Sequence, residues 1–302
     1  MPVFVVIFLV LLISLFCFLF CFYQTKKQKA NIPDFPETDQ YSPYKKEMFH
    51  LYNVFEKAPF EEITIKSFDK LTLYGRLYKG KEEKTVDIMF HGYRSTAYRD
   101  FCGGYKLSKK RGNNVILVDQ RAHGKSDGRV ITFGIKEKYD VLSWVNYAIT
   151  RFGEDTKINL IGVSMGAATV LSALDLDLPK NVSGVIADCP YSSPARIIKK
   201  VSKDMKIPSL LSYPFIFLGA MLYGGFIIRG GAEKAAEKAK IPVLIIHGKA
   251  DRFVPHSMSE DIYKALKVKK KLLSVEEAGH GVSYFVSPEN YEKAIDEYYE
   301  MI

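Results

Sequence analysis

Three residues of nucleophile, base and acid type stand behind three hydrophobic runs, in an order that suits acyl chemistry. The run Ile158 to Val163 leads into Gly162-Val163-Ser164-Met165-Gly166, a G-x-S-x-G sequence, and then into the strongly apolar stretch Ala167 to Leu176. A buried strand, a sharp turn and a small-residue helix are what a nucleophile elbow requires. Its serine sits on a strained turn, and glycines two residues to either side let strand and helix approach. A serine hydroxyl is a poor nucleophile until a base removes its proton, so the reading demands an acid and a histidine further along, in the order Ser, Asp, His. The run Val243 to His247 enters a short loop carrying Asp251, and Lys271 to Glu276 is followed by Glu277-Ala278-Gly279-His280-Gly281. Ser164, His280 and Asp251 are therefore the candidate nucleophile, base and orienting acid. Asp188, which closes the run Val182 to Asp188, is the rival acid. Of the other histidines, His50 lies in an N-terminal arm, His123 in an early loop, His247 just before the acid and His256 just after it, none in the position the base needs.

His91-Gly92-Tyr93-Arg94 follows the run Val86 to Phe90, where a loop can meet the charge that collects on a carbonyl oxygen under attack. Two aimed backbone N–H groups stabilise such an oxyanion by about 3 to 4 kcal/mol each. The candidates are those of Tyr93 and Met165, which leaves His91 to fix the loop by hydrogen bonding. His91, His123 and Asp119 lack the spacing of a metal site, and the chemistry needs no metal or organic cofactor.

Strands and helices must bring these groups together. The β-rich runs Glu61 to Ser67 and Leu71 to Tyr78 read as an antiparallel hairpin, and Val86 to Phe90, Asn114 to Asp119 and the runs above read as buried strands. Helical spacing appears over Ile135 to Phe152, Ala167 to Leu176, Ile262 to Leu266 and Tyr291 to Tyr298. This alternation implies a doubly wound, mostly parallel, eight-stranded α/β sheet with its site at the carboxyl ends of the strands.

In these motifs the chain resembles the α/β-hydrolase fold superfamily, and within it the membrane-anchored bacterial hydrolases related to the serine aminopeptidase and monoacylglycerol lipase branch. The resemblance covers roughly residues 60 to 302. It rests on His91-Gly92-Tyr93, on Asp119-Gln120-Arg121-Ala122-His123-Gly124-Lys125-Ser126, on the elbow at Ser164, on the Asp251 loop and on Gly279-His280-Gly281. It implies serine-hydrolase chemistry and leaves the substrate open among esters, thioesters and peptides.

Three parts of the chain are expected: an anchor over 1–25, a linker or docking arm over 26–60, and a hydrolase domain over 61–302 with a cap at about 190–240. Of 302 residues 47% are hydrophobic, but 21 of the first 23 are apolar, so the rest is an ordinary soluble composition. Val3 to Tyr23 carries no charge and is long enough, at about 1.5 Å per residue, to cross a bilayer as a single-pass anchor. It exceeds a secretory h-region and lacks a cleavage site after Tyr23. Lys26, Lys27 and Lys29 beyond it place the catalytic part on the cytoplasmic face by the positive-inside rule. They also account for part of the net charge of +9, which with no nucleic-acid motif points to an anionic membrane surface rather than RNA or DNA. Cys17 and Cys21 lie in the span, so Cys102 and Cys189 alone make no disulfide framework.

Within the cap, Ile207 to Ile228 is uncharged and long enough for a second span. A crossing there would separate Ser164 from Asp251 and His280, and Pro208, Pro214, Gly219, Gly224 and Gly225 break the run into short pieces. The expectation is a helical cap that lines an apolar pocket for a small acyl or lipid-like substrate and dips into the membrane interface, the alternative being a cap that merely packs on the core. Against an ester-cleaving hydrolase stand an aminopeptidase and, from another class, a non-catalytic membrane-bound interaction module.

Overall fold

Aliphatic and β-branched runs bounded by Gly, Pro and Asn form eight strands of one sheet. They are β1 (Glu61–Lys66), β2 (Thr72–Tyr78), β3 (Thr85–Phe90), β4 (Asn114–Asp119), β5 (Lys157–Val163), β6 (Val182–Asp188), β7 (Val243–Gly248) and β8 (Lys270–Val275). The computed structural model describes residues 2–30, 35, 38–82 and 84–302. Of the expected arm, residues 31–34, 36 and 37, and with them Pro33 and Pro36, lie outside the described residues.

The spatial order is β1-β2-β4-β3-β5-β6-β7-β8. β2 pairs antiparallel with β1 and β4, and every other pairing is parallel. β1 alternates, turning Ile63 inward and its charged residues outward, as an edge strand should. β3 to β7 are apolar on both faces because helices cover both. The chain steps from β3 to β4 on one side and then to β5 on the other, so the sheet reverses direction between β3 and β5. The loop with His91 and the turn with Ser164 both open there, where such sheets bind ligands.

The helices are α1 (Pro2–Cys21), α2 (Lys26–Ala30), α3 (Lys45–Glu56), α4 (Ala97–Arg111), α5 (Glu137–Phe152), α6 (Met165–Ser172), α7 (Pro194–Asp204), α8 (Ser209–Leu222), α9 (Ala232–Ala236), α10 (Ser257–Ala265), α11 (Ser283–Val286) and α12 (Pro288–Tyr299). Alternate residues of the strands feed two cores. Ile88 and Phe90 belong to one core with Trp144 of α5, Val170 of α6 and Ile262 of α10, while Met89 belongs to another with Phe101 and Tyr105 of α4. The arm carries α3, which lies on α4 with Met48 and Phe55 buried and the Phe55 ring stacked 3.8 Å from Tyr105.

Two local expectations need correction. The helix after the elbow starts at Met165 and ends at Ser172, followed by a 3₁₀ turn over Ala173–Asp175 rather than a helix to Leu176. In the cap, Pro214 and Gly219 do not interrupt the chain, because α8 runs through both. Pro214 removes one donor near the first turns of the helix, a loss the surrounding turns absorb, and Gly219 is a contact surface: a Cβ there would lie 2.4 Å from the Ser14 carbonyl oxygen of α1. At 14 residues α8 is about 21 Å long, short of the roughly 30 Å of a bilayer core.

Candidate active site

The turn between β5 and α6 holds Ser164 at φ 55°, ψ −114°, a backbone state that costs a non-glycine residue about 1 to 3 kcal/mol. Close packing enforces it. A Cβ on Gly162 would fall 2.4 Å from the Ala167 nitrogen, and one on Gly166 only 1.7 Å from the Phe90 carbonyl oxygen, so both glycines of the motif are required sterically. The Ser164 N–H donates to the Asp188 carbonyl at 2.8 Å, tying the strained turn to β6.

His280 Nε2 lies 2.9 Å from Ser164 Oγ, and His280 Nδ1 lies 2.7 Å from Asp251 Oδ2. A carboxylate only accepts, so the proton between them sits on Nδ1, leaving Nε2 free to accept from the serine. Asp251 takes four hydrogen bonds in all. Its Oδ1 accepts from Phe253 N–H and Val254 N–H, both at 2.8 Å, and its Oδ2 also accepts from His247 Nε2 at 3.1 Å. Burial pushes the Asp251 carboxyl up, but the His280 charge and the bonds from both histidines outweigh it and hold it well below the usual carboxylate range. Burial works against the charged form of His280 too, yet Asp251 raises it above the ordinary histidine value of 6.5.

Sequence reasoning passed over His247. It is fully buried at the end of β7, its Nδ1 meets Ser259 Oγ at 2.6 Å, and its other nitrogen serves Asp251 and the Val254 carbonyl. The available signal was its place four residues before the acid, which lets one loop fold back onto its own strand end. Asp188 is not hydrogen-bonded to His280. Its Oδ2 accepts from the Tyr291 hydroxyl at 3.1 Å, and burial pushes it up to about 6. His50 is exposed, and His256 turns to Ser274 Oγ at 2.8 Å.

Beside the serine, a Cβ on Gly92 would stand 3.3 Å from Ser164 Cβ, so the loop after β3 passes against the nucleophile. Asp100 accepts from the Gly92 N–H at 2.6 Å. His91 Nδ1 donates to the Gly92 carbonyl at 2.8 Å and its Nε2 accepts from Gln120 N–H at 3.1 Å. His123 Nε2 accepts from Arg94 N–H at 3.0 Å. Burial lowers the pKa of both histidines, which fits neutral rings used as staples between two loops. Among the described residues neither the Tyr93 nor the Met165 backbone N–H has a protein acceptor.

Cys189, Asp251 and His280 bring ligand atoms within 4.8 Å of one another. Burial lifts the Cys189 thiol well above its ordinary value, and the carboxylate and imidazole are engaged with each other, so the donors do not suit a cation.

Two cavities meet at Ser164. One, of about 500 Å³, is apolar and bounded by α1, α7 and α8. The other, of about 440 Å³, carries Gln40, Tyr41, Ser95, Arg99 and Arg252. Tyr93, Ser164 and Phe253 line both.

A mostly parallel eight-stranded sheet with a strained serine elbow at its switch point defines the α/β-hydrolase architecture. Family models agree: one for the alpha/beta hydrolase fold matches residues 88–209, and one for serine aminopeptidase S33 matches residues 225–284. The chain is 28% identical to the Bacillus subtilis protein YqkD over 261 residues, covering 84% of this chain and 85% of YqkD. It is 24% identical over 238 residues to the thiohydrolase aneE of Aspergillus aculeatus, covering 70% and 71% of the two chains. An esterase structure from Pyrococcus furiosus superposes with a TM-score of 0.66 at 24% identity, covering 89% of this chain and 97% of the esterase. This chain has the α/β-hydrolase fold.

Proposed function

We propose that the protein is a membrane-anchored serine hydrolase that cleaves an ester or related acyl bond. One observation carries the reading: His280 spans Ser164 Oγ and Asp251 Oδ2 at 2.9 and 2.7 Å beside two unpaired backbone N–H groups. Ser164 Oγ adds to the carbonyl carbon while its proton passes to His280 Nε2, and the oxygen, now negative, is met by the N–H groups of Tyr93 and Met165. Collapse expels the alcohol, which takes the proton from His280. Water then attacks the acyl-enzyme and gives a proton to the same nitrogen, and collapse frees the acid as His280 returns that proton to Ser164 Oγ. Asp251 holds the imidazole in the required tautomer and stabilises its cation, and His247 holds Asp251. The esterase and thiohydrolase relatives support a hydrolase acting on a small acyl substrate. The anchor is assigned to α1, where Val3–Cys21 is the one stretch among the described residues long and apolar enough to cross a membrane.

A fluorophosphonate probe should label the wild-type protein, lose all labelling in Ser164→Ala and most of it in His280→Ala. Folded wild-type protein that never labels sinks the reading and leaves the non-catalytic interaction module. The S33 match favours a second reading, an aminopeptidase. Aminoacyl anilides assayed beside p-nitrophenyl esters of graded chain length decide between the two.

A further inference from the structure

We propose that α1 is a wall of the substrate chamber as well as a tether, and that the acyl chain of a membrane-resident ester enters sideways between α1 and the α7–α8 turn to reach Ser164. The inference rests on the serine-hydrolase reading and names its substrate class.

The end of α1 is fixed to the site rather than strung from it. Its last carbonyls, which a helix leaves without partners, are taken by the loop that passes Ser164: Tyr93 Oη donates to the Cys21 oxygen at 2.9 Å, and Arg94 donates to those of Phe20 and Tyr23, both at 3.0 Å. Phe22 is fully buried, and the Gln24 N–H and Ile131 N–H complete a short ladder with Arg129 and Phe22. The C-terminal half of α1 then lies antiparallel along α8, Ser14 against Gly219 and the Leu11 carbonyl against the Tyr223 hydroxyl at 3.1 Å.

Beneath this pair is the apolar cavity of about 500 Å³, within the roughly 300 to 1,000 Å³ of small-ligand chambers. Phe16 and Phe20 of α1, Ile197 and Val201 of α7 and Ile216 of α8 line it, and Ser164 is at its floor. Its rim is apolar and open. Phe16 is 67% exposed, Phe20 50%, and Met205 and Ile207 across from them 48% and 43%. The mouth therefore faces the medium around α1.

That medium is lipid if α1 spans, because Val3 to Ile13 is largely exposed and the outer face of α8 continues the same apolar surface through Leu210, 85% exposed, and Leu211, 64%. Lys199, Lys203 and Lys206 gather beside Leu210 at the start of α8, where anionic headgroups would meet them. The second cavity at Ser164, where Arg99 and Arg252 stand, takes the leaving alcohol. An amphiphile laid across both puts its scissile carbonyl at the serine.

The test uses the full chain in phosphatidylcholine vesicles and a fluorophosphonate bearing a long acyl chain with a terminal diazirine. Ser164 displaces fluoride, light fixes the chain end, and mass spectrometry maps the crosslink. Crosslinks on residues 16–21 of α1 or on α7 and α8 are the expected result. Crosslinks confined to residues 38–41 or 252 overturn the chamber assignment while leaving the hydrolase reading intact. No adduct on Ser164 removes that reading and this inference together. A second measurement fills the chamber from half-buried Val201. In Val201→Trp the ratio of kcat/KM for p-nitrophenyl palmitate to that for the acetate is expected to fall about tenfold. An unchanged ratio also overturns the assignment.

Discussion

Two aspartates stand at the ends of adjacent strands, and their surroundings give them opposite characters. Asp188 closes β6 and Asp251 follows β7; both are buried, at 5% and 8% exposure. Asp251 accepts four hydrogen bonds, two from backbone N–H groups and two from histidines, and stays ionised. Asp188 accepts one side-chain bond, from Tyr291, its Oδ1 has no partner among the described residues, and burial carries it up to about 6. Burial is common to both, so the charge of His280 and the hydrogen bonds around each group set how readily the carboxylate ionises. By chain order either strand end could have supplied the acid.

The largest break in this comparison is Asp251→Asn. The amide cannot hold the same histidine tautomer or stabilise its cation, so kcat is expected to fall by about 10³- to 10⁴-fold. The pH profile supplies a second reading. The base must be neutral, and Asp251 raises the His280 pKa, so wild-type kcat/KM should be lost as pH falls through a value above the 6.5 of an ordinary histidine. Removing the Asp251 charge should move that inflection down. A profile that stays put in Asp251→Asn separates His280 from the titrating group.

His247→Gln sharpens the argument that donor number matters. It removes one of four bonds to the Asp251 carboxylate, and a bond to a charged group contributes about 1.5 to 3 kcal/mol, which corresponds to a loss of roughly 10- to 100-fold in kcat if carried fully to the transition state. A positioning role predicts that kcat falls and the His280 inflection drops while KM holds. A shift in KM alone would place His247 in substrate binding instead.

The sheet and the serine elbow were legible because their signals are local. A buried strand is a run of apolar residues, and the elbow needs glycines at fixed offsets, since a Cβ on Gly162 or Gly166 would fall under 2.5 Å from backbone. The Asp251 and His280 loops were singled out because the chemistry demands a base and an acid in chain order. His247 was missed because its partner lies across a loop closure that no periodicity reports. The docking of α1 on α8 was equally hidden, since an uncharged run records that a segment avoids water and not what it touches. The same limit made Pro214 look like a break, when the helix it occupies is held by its contacts.

The smallest expected effect is Asp188→Asn, and it tests the weaker half of the comparison. The amide keeps an acceptor for Tyr291, so kcat should change by less than about threefold, with the His280 inflection slightly lower because the Asp188 charge helps to raise it. Stability should move more than activity. The folded pKa of about 6 lies above the 3.8 of an ordinary aspartate, so the unfolded chain gives up this proton first and wild-type stability falls as pH rises between those values. Above pH 6 the buried charge costs about 3 kcal/mol, and below pH 4 it costs nothing. Asp188→Asn should therefore raise Tm at pH 8 and leave it unchanged near pH 4. A variant that loses as much activity as Asp251→Asn would show that Asp188 also serves the histidine during turnover.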